Sequence, residues 1–228
     1  MPLIIGVSGK KQGGKSTVVQ LLGESLRPRS VTTVRFADFL KDIVLRCFVP
    51  SEWDLTDSSL DSDDVKNRVT PCGKTIRQLL QIVGTDWFRH TYSECWINAY
   101  QKEVENRTRA HAISYILTPD VRFPNELEAV HKMGGLVIRM LRAPFGDQDR
   151  HESETALDEI ERFSLEVGGS IYAHPTIITS VGKRRHTQFD LVIDNRHLSM
   201  DEIKGVIHGP VATWIEKYGK ITTARGGY

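Results

Sequence analysis

Eight consecutive residues, Gly9-Lys10-Lys11-Gln12-Gly13-Gly14-Lys15-Ser16, satisfy the spacing G-x-x-x-x-G-K-[ST] at every fixed position. A loop of this composition cradles phosphate. Its backbone N–H groups turn onto one anion, and the dipole of a following helix adds to that field. The flanks suit the role: Leu3-Ile4-Ile5-Gly6-Val7 reads as a buried strand, and Thr17-Val18-Val19-Gln20-Leu21-Leu22 as the first turns of a helix. Gly9, Lys10, Lys11, Gln12, Gly13, Gly14, Lys15, Ser16 and Thr17 are therefore expected around a nucleoside triphosphate. Lys15 is expected to reach the β- and γ-phosphates, and the Ser16 hydroxyl to hold Mg²⁺.

The elements that must position this loop alternate along the chain. β-rich runs fall at Val31–Phe36, Ala112–Leu117, Leu136–Leu141 and Phe189–Asp194. Helical spacing follows at Leu40–Phe48, Lys74–Val83, Glu94–Arg107, Asn125–Met133 and Ser153–Val167, with Ser199 and Glu202 forming a capping box for a last helix. Strands alternating with helices predict a doubly wound α/β fold with a five-stranded parallel sheet, whose ligands collect beyond the carboxyl ends of the strands. Charged and polar residues follow each strand in turn: Lys15 the first, Asp38 and Lys41 the second, Asp120 and Arg122 the third, Arg142 the fourth, Asn195 the fifth.

Asp120 has two readings. It could orient Mg²⁺ through water, or cap the turn into the next helix; Pro119, which is expected to break the third strand, weakens the first. Arg122 offers a planar fork for phosphate that lysine cannot copy. His151, Glu152 and Glu154 lack the H-E-x-x-H spacing of a zinc site, since position 155 is Thr. Lys183-Arg184-Arg185 reads as a solvated turn. Trp87, Phe88 and Trp96 are expected in the core.

Composition bounds the rest. The 228 residues suit one domain, with 30 basic against 29 acidic side chains and a net charge of +1. That balance argues against a protein that tracks a nucleic-acid polymer. Cys47, Cys72 and Cys95 show no C-x-x-C spacing and are expected as free thiols. The chain enters a strand almost at once and carries no bilayer-length apolar run, so neither a signal peptide nor a membrane span is expected. Pro50–Asp64, with five aspartates among serines, reads as an exposed insertion with little core.

Several further segments are similar to one family. Arg77-Gln78-Leu79-Leu80-Gln81-Ile82-Val83-Gly84-Thr85-Asp86, with Arg89 and Trp96, resembles the R-x-L-L-Q-x-x-G-T-D segment of phage-type deoxynucleoside monophosphate kinases. Phe36-Ala37-Asp38-Phe39-Leu40-Lys41 resembles their acceptor-side segment. Asp120-Val121-Arg122-Phe123-Pro124-Asn125-Glu126 and His151-Glu152-Ser153-Glu154 are similar to two further signatures. The resemblance runs from the phosphate loop to about Asn195. It carries nothing over for Pro50–Asp64 or for the tail after Tyr218.

The resemblance implies a three-layer P-loop kinase fold over residues 1–228. Within it, the acceptor-binding region is expected at about 37–110 and the lid at about 142–186. It implies transfer of the γ-phosphoryl group of ATP, with Mg²⁺, to a deoxynucleoside 5′-monophosphate. Lys15, Arg77, Arg122, Arg142 and Arg150 are the implied catalytic residues, the last two on the lid. Asp38, Lys41, Arg77, Gly84, Thr85, Asp86, Asp120 and Arg122 are implied on the acceptor side, Ser16 and Asp120 at the metal, and Asn195 near the adenine. A cytoplasmic setting follows, that of the infected host cell if the chain is phage-encoded, with a second copy of the chain as a further candidate partner. A dephospho-coenzyme A kinase or another small-metabolite kinase would explain the loop but not the Gly84-Thr85-Asp86 and Asp120-x-Arg122 signatures together. A nucleotide-dependent switch or assembly protein is the other alternative, though the base-reading N-K-x-D of a GTPase is absent.

Overall fold

The computed structural model describes residues 1–10, 13–141, 155–167, 169–170, 177–179 and 188–217. The chain divides into two compact units, one made of Met1–Val34 with Glu105–Tyr228, the other of Arg35–Val104.

The first unit is built on a seven-stranded sheet. Its strands are β1 (Leu3–Ser8), β2 (Val31–Thr33), β3 (Tyr115–Val121), β4 (Leu136–Leu141), β5 (Gly169–Ser170), β6 (Ile177–Thr179) and β7 (Leu191–Asp194), in the order β2-β3-β1-β4-β7-β6-β5. The five strands from β2 to β7 are all parallel, as the alternating pattern predicts. Beyond β7, β6 and β5 continue the sheet antiparallel. The sequence reading missed these two, because strands of two and three residues are too short to show a period.

Helices among the described residues include α1 (Lys15–Ser25), α2 (Asp38–Phe48), α3 (Asp63–Lys66), α4 (Ile76–Gln81), α5 (Cys95–Ala110), α6 (Pro124–Lys132), α7 (Asp158–Val167) and α8 (Met200–Val206), the last continued by a π-helical turn at Ile207–Val211. Every residue of β1 and β4 is buried, as expected of parallel strands covered on both faces. Leu3, Ile5 and Val7 of β1 share a core with Val18, Leu21 and Leu22 of α1, and with Ile203, Val206, Trp214 and Ile215 in and after α8. On the other face α6 packs against β1 and β4, and Glu161 of α7 meets Arg139 of β4. Helices on both faces of a parallel sheet make three layers. Ser199 caps α8 as expected, its hydroxyl accepting from the Glu202 N–H while the Glu202 carboxylate accepts from Ser199 N–H.

The third strand does not end at Pro119. It runs on to Val121, and the register explains how: Gly6 pairs with Thr118 but Ser8 pairs with Val121, so β3 bulges by one residue at Pro119-Asp120. A bulge is where a strand tolerates a residue that has no N–H to donate.

The second unit has its own core of Val44, Leu60, Ile76, Leu79 and Val83. Thr75 and Gln78 form a reciprocal capping box that starts α4, which passes into a π-helical segment over Ile82–Arg89. Two expectations are corrected here. Pro50–Asp64 is not without core: it folds into short 3-10 turns at Ser51–Trp53 and Ser59–Asp61, and Leu60 is fully buried. Trp96 is buried as expected, but Trp87 and Phe88, expected in the core as bulky aromatics, are exposed on the π-helical segment. Cys47, Cys72 and Cys95 are free thiols. Among the described residues no helix is long and apolar enough to cross a membrane.

Candidate active site

The phosphate loop leaves β1 at Ser8 and enters α1 at Lys15. Its shape depends on glycine at two points. Gly14 caps α1 at φ 83°, a left-handed conformation, and a Cβ on Gly13 would stand 2.9 Å from the Lys10 carbonyl oxygen. That same carbonyl accepts from the Gly13 N–H at 3.0 Å, which closes the turn. The Lys15 ammonium folds back over the loop and donates to the carbonyl oxygens of Gly9 and Lys10, each at 2.6 Å. Positive charge, glycine backbone and a helix N-terminus thus meet at one point, the arrangement that binds phosphate. Ser16 is exposed on the first turn of α1 and Thr17 half-buried beside it.

A buried network lies under this loop. Arg139 is 3% exposed although it carries a full charge. It donates from Nε to Glu161 at 2.6 Å and from NH1 to the Ser8 hydroxyl at 2.9 Å, while Asp158 sits 3.7 Å from its NH2. Asp158 in turn accepts from Lys10 of the loop at 3.1 Å. Asn195, buried after β7, donates from its side-chain amide to the Gly13 carbonyl at 3.4 Å. The side chain named for the adenine is thus directed at the back of the phosphate loop. Sequence reasoning passed over Arg139, Asp158 and Glu161. The available signal was an arginine interrupting the apolar run Leu136–Leu141, which demands a buried partner.

Asp120 stands in the β3 bulge, next to Val121, the register partner of Ser8. It therefore lies at the same end of the sheet as the start of the loop. Arg122 follows, half-buried, and its backbone is fixed by Glu126. That carboxylate is 2% exposed and accepts from the N–H groups of Arg122 at 2.8 Å and Phe123 at 3.1 Å. A residue three positions into α6 thereby caps the helix and holds the arginine's backbone. The Ser16 hydroxyl and the Asp120 carboxylate are hard oxygen donors, few in number and partly open to solvent, and they fit a hydrated Mg²⁺ held jointly with phosphates.

In the second unit, Lys41 is 6% exposed and donates to Asp61 at 2.7 Å and to the Asp57 carbonyl at 3.3 Å. Asp38 accepts from the Arg35 N–H at 2.9 Å. Arg77 donates to Asp63 at 2.6 Å and to Asn67 at 3.3 Å. Burial alone would raise the Asp61 carboxyl, but the hydrogen bond and charge of Lys41 outweigh it and hold the group below the usual carboxylate range. Burial pushes the Asp57 carboxyl up; Lys41 opposes this, and Asp38 and Asp42 reinforce it. The Gly84-Thr85-Asp86 signature divides by role. A Cβ on Gly84 would come within 2.7 Å of Leu40, and the Gly84 carbonyl accepts from the Trp96 indole at 2.8 Å. Thr85 is buried as well, which leaves Asp86 as the exposed member.

Lys11 and Gln12 of the loop, Arg142 and Arg150, and the other lid and basic-turn residues His151, Glu152, Glu154 and Lys183-Arg184-Arg185 lie outside the described residues.

Comparison with known proteins gives two findings. Residues 64–162 match the family described as deoxynucleotide monophosphate kinase. A protein of Acanthamoeba polyphaga mimivirus named "Putative deoxynucleotide monophosphate kinase" is 25% identical over 171 residues, which cover 72% of this chain and 86% of that protein. The α/β fold with its five parallel strands, the loop at the end of β1 and both comparisons agree with the family that the motifs resemble: over residues 64–162 the chain is similar to the deoxynucleotide monophosphate kinases.

Proposed function

We propose that this protein transfers the γ-phosphoryl group of ATP to a deoxynucleoside 5′-monophosphate, giving ADP and the deoxynucleoside diphosphate for DNA precursor synthesis. The observation that carries the proposal is the Lys15 ammonium folded over the carbonyls of a glycine loop at the N-terminus of α1. The similarity of residues 64–162 to deoxynucleotide monophosphate kinases supports the choice of acceptor.

The chemistry asks for little covalent help. An acceptor phosphate oxygen attacks the γ-phosphorus, and the bond to the β–γ bridging oxygen breaks, its electron pair leaving with ADP. At neutral pH the acceptor oxygen is already ionised, so no general base is needed, and Asp38 is assigned to positioning. What the protein must supply is placement of two polyanions and neutralisation of their charge. The loop amides and Lys15 hold the β- and γ-phosphates. Lys41 and Arg77 hold the acceptor phosphate. Arg122, with its backbone clamped by Glu126, faces the charge that develops during transfer. Ser16 and Asp120 would hold Mg²⁺, which would supply further charge neutralisation at the phosphates. Arg142 and Arg150 are assigned to closure over the transferring group, and the reaction belongs to the cytoplasmic nucleotide pool.

A coupled assay of ATP consumption against dNMPs, NMPs and dephospho-coenzyme A tests the proposal. Acceptor-dependent turnover with at least one dNMP, and none with dephospho-coenzyme A, is expected. Turnover with dephospho-coenzyme A alone would replace the proposed acceptor, and slow hydrolysis that ignores every acceptor would indicate a switch.

A further inference from the structure

The cations assigned to the acceptor phosphate are already occupied. Asp61 takes Lys41 at 2.7 Å and lies 3.6 Å from Arg35, and Asp63 takes Arg77 at 2.6 Å. Both aspartates come from the segment after Pro50 to which the resemblance carried nothing over. Their placement is not that of a loose insertion, because Leu60, next to Asp61, is fully buried with Val44, Ile76 and Leu79. The surrounding cations crowd one another. The Lys66 ammonium is pushed down first by burial and then by the charge of Arg77, with Lys41 adding to the effect, and it donates to the Asp61 carbonyl at 3.4 Å. Without the aspartates, these positive groups would face one another across a partly desolvated patch.

The charges match a particular ligand. A phosphate monoester carries about −1.5 to −2 at neutral pH with three strong acceptor oxygens, which two aspartates equal in charge but not in geometry. A phosphate can engage a lysine and an arginine fork at once, whereas a carboxylate offers two oxygens and one charge. The exposure also fits exchange: the Lys41 side chain is 8% exposed, while Asp61, above it, is 54% exposed. The carboxylate can swing into water, and the ammonium stays.

We propose that Asp61 and Asp63 are built-in stand-ins for the acceptor phosphate: they hold Lys41, Arg35 and Arg77 in place in the empty protein and are displaced by the 5′-phosphate dianion when the acceptor binds. This rests on the reading of the second unit's cations as the acceptor site. The exchange keeps an anion on these cations in both states and makes acceptor affinity a difference between two anions. Removing the competitor therefore tightens acceptor binding, although it deletes two ion pairs.

The test is calorimetric titration of the full chain and of Asp61→Asn and Asp63→Asn with each of the four dNMPs, with ATP titrated in parallel. The Kd of the accepted dNMP is expected to fall about threefold to fivefold in each variant, the scale of one partly exposed ion pair. ATP affinity is expected to stay unchanged. A second measurement needs no variant: in the wild-type chain with ¹³C-carboxyl aspartate, the Asp61 signal should titrate below the ordinary carboxylate range when empty, and return to that range with the dNMP bound. An Asp61 signal that stays depressed in the complex, or weaker dNMP binding by both variants, would overturn the inference and make the aspartates fixed supports of the cations. If the wild-type chain binds ATP but no dNMP, the acceptor reading itself falls, an outcome distinct from either of these.

Discussion

Arg139 and Ser8 are register partners on neighbouring strands, and the guanidinium NH1 stands 2.9 Å from the Ser8 hydroxyl, one residue before the phosphate loop begins. The loop's foundation is therefore a buried charge rather than an apolar contact. Arg139 joins β4 to α7 through Glu161, and Asp158 of the same helix joins α7 to Lys10 of the loop. A partly buried ion pair of this kind adds little over a hydrophobic substitute, but removing one partner leaves the other uncompensated.

Replacement of Arg139 by Met is expected to destabilise the protein by about 3 kcal/mol, the lower end for a broken buried pair, since Glu161 is 24% exposed and can be partly rehydrated. A drop in Tm of roughly 6–12 °C corresponds to that loss. Calorimetry or thermal circular dichroism reads it directly. A Tm within a degree or two of wild type would mean that the network does not support the fold.

Lys15→Ala removes the charge that the loop holds over its own carbonyls. A lost transition-state contact of this type costs about 10²–10³ in rate. The far-UV spectrum should not change, because the Lys15 side chain is not part of the core. Near-wild-type kcat in a folded Lys15→Ala protein would remove the loop from the donor site.

Arg77→Lys keeps a positive charge but loses the planar fork. The expected result is a higher KM for the dNMP or a lower kcat, with the KM for ATP little changed. Steady-state kinetics with each substrate varied in turn separates the two sides. An effect confined to ATP would move Arg77 to the donor.

Asp57 and its neighbours give a pH dependence of known sign. Its carboxyl is raised chiefly by burial, so the folded chain binds this proton more tightly than the unfolded chain does. That contribution to stability is present at low pH and is lost as pH rises through the folded pKa. Asp57→Asn, neutral throughout, is thus expected to be more stable than wild type at about pH 7, with the advantage shrinking toward about pH 4. Urea unfolding at both values checks it. A loss of stability at neutral pH would mean that the attraction of Lys41 outweighs the burial.

What the sequence revealed depended on range. The strand, loop and helix around Lys15 are contiguous, so spacing and residue type sufficed, and the parallel five-strand core followed from alternation. The Ser199–Glu202 box was legible for the same reason. Arg139 was not, because its partners lie 131 residues away at Ser8 and 22 away at Glu161, and no local period records them. Asp61 and Asp63 were read as part of an exposed insertion, since composition cannot reveal that Leu60, just before Asp61, is buried. The strand through Pro119 was misjudged because a bulge, visible only from the register with β1, removes the need for the missing N–H.

The fate of the γ-phosphate separates transfer from hydrolysis. ATP labelled at its γ-phosphate, incubated with the 228-residue chain, Mg²⁺ and a dNMP, is expected to deliver the label to the deoxynucleoside diphosphate. Omission of the dNMP, chelation of the metal or the Lys15→Ala substitution should each abolish that product. Label recovered only as inorganic phosphate, at a rate indifferent to every dNMP, would rule out transfer.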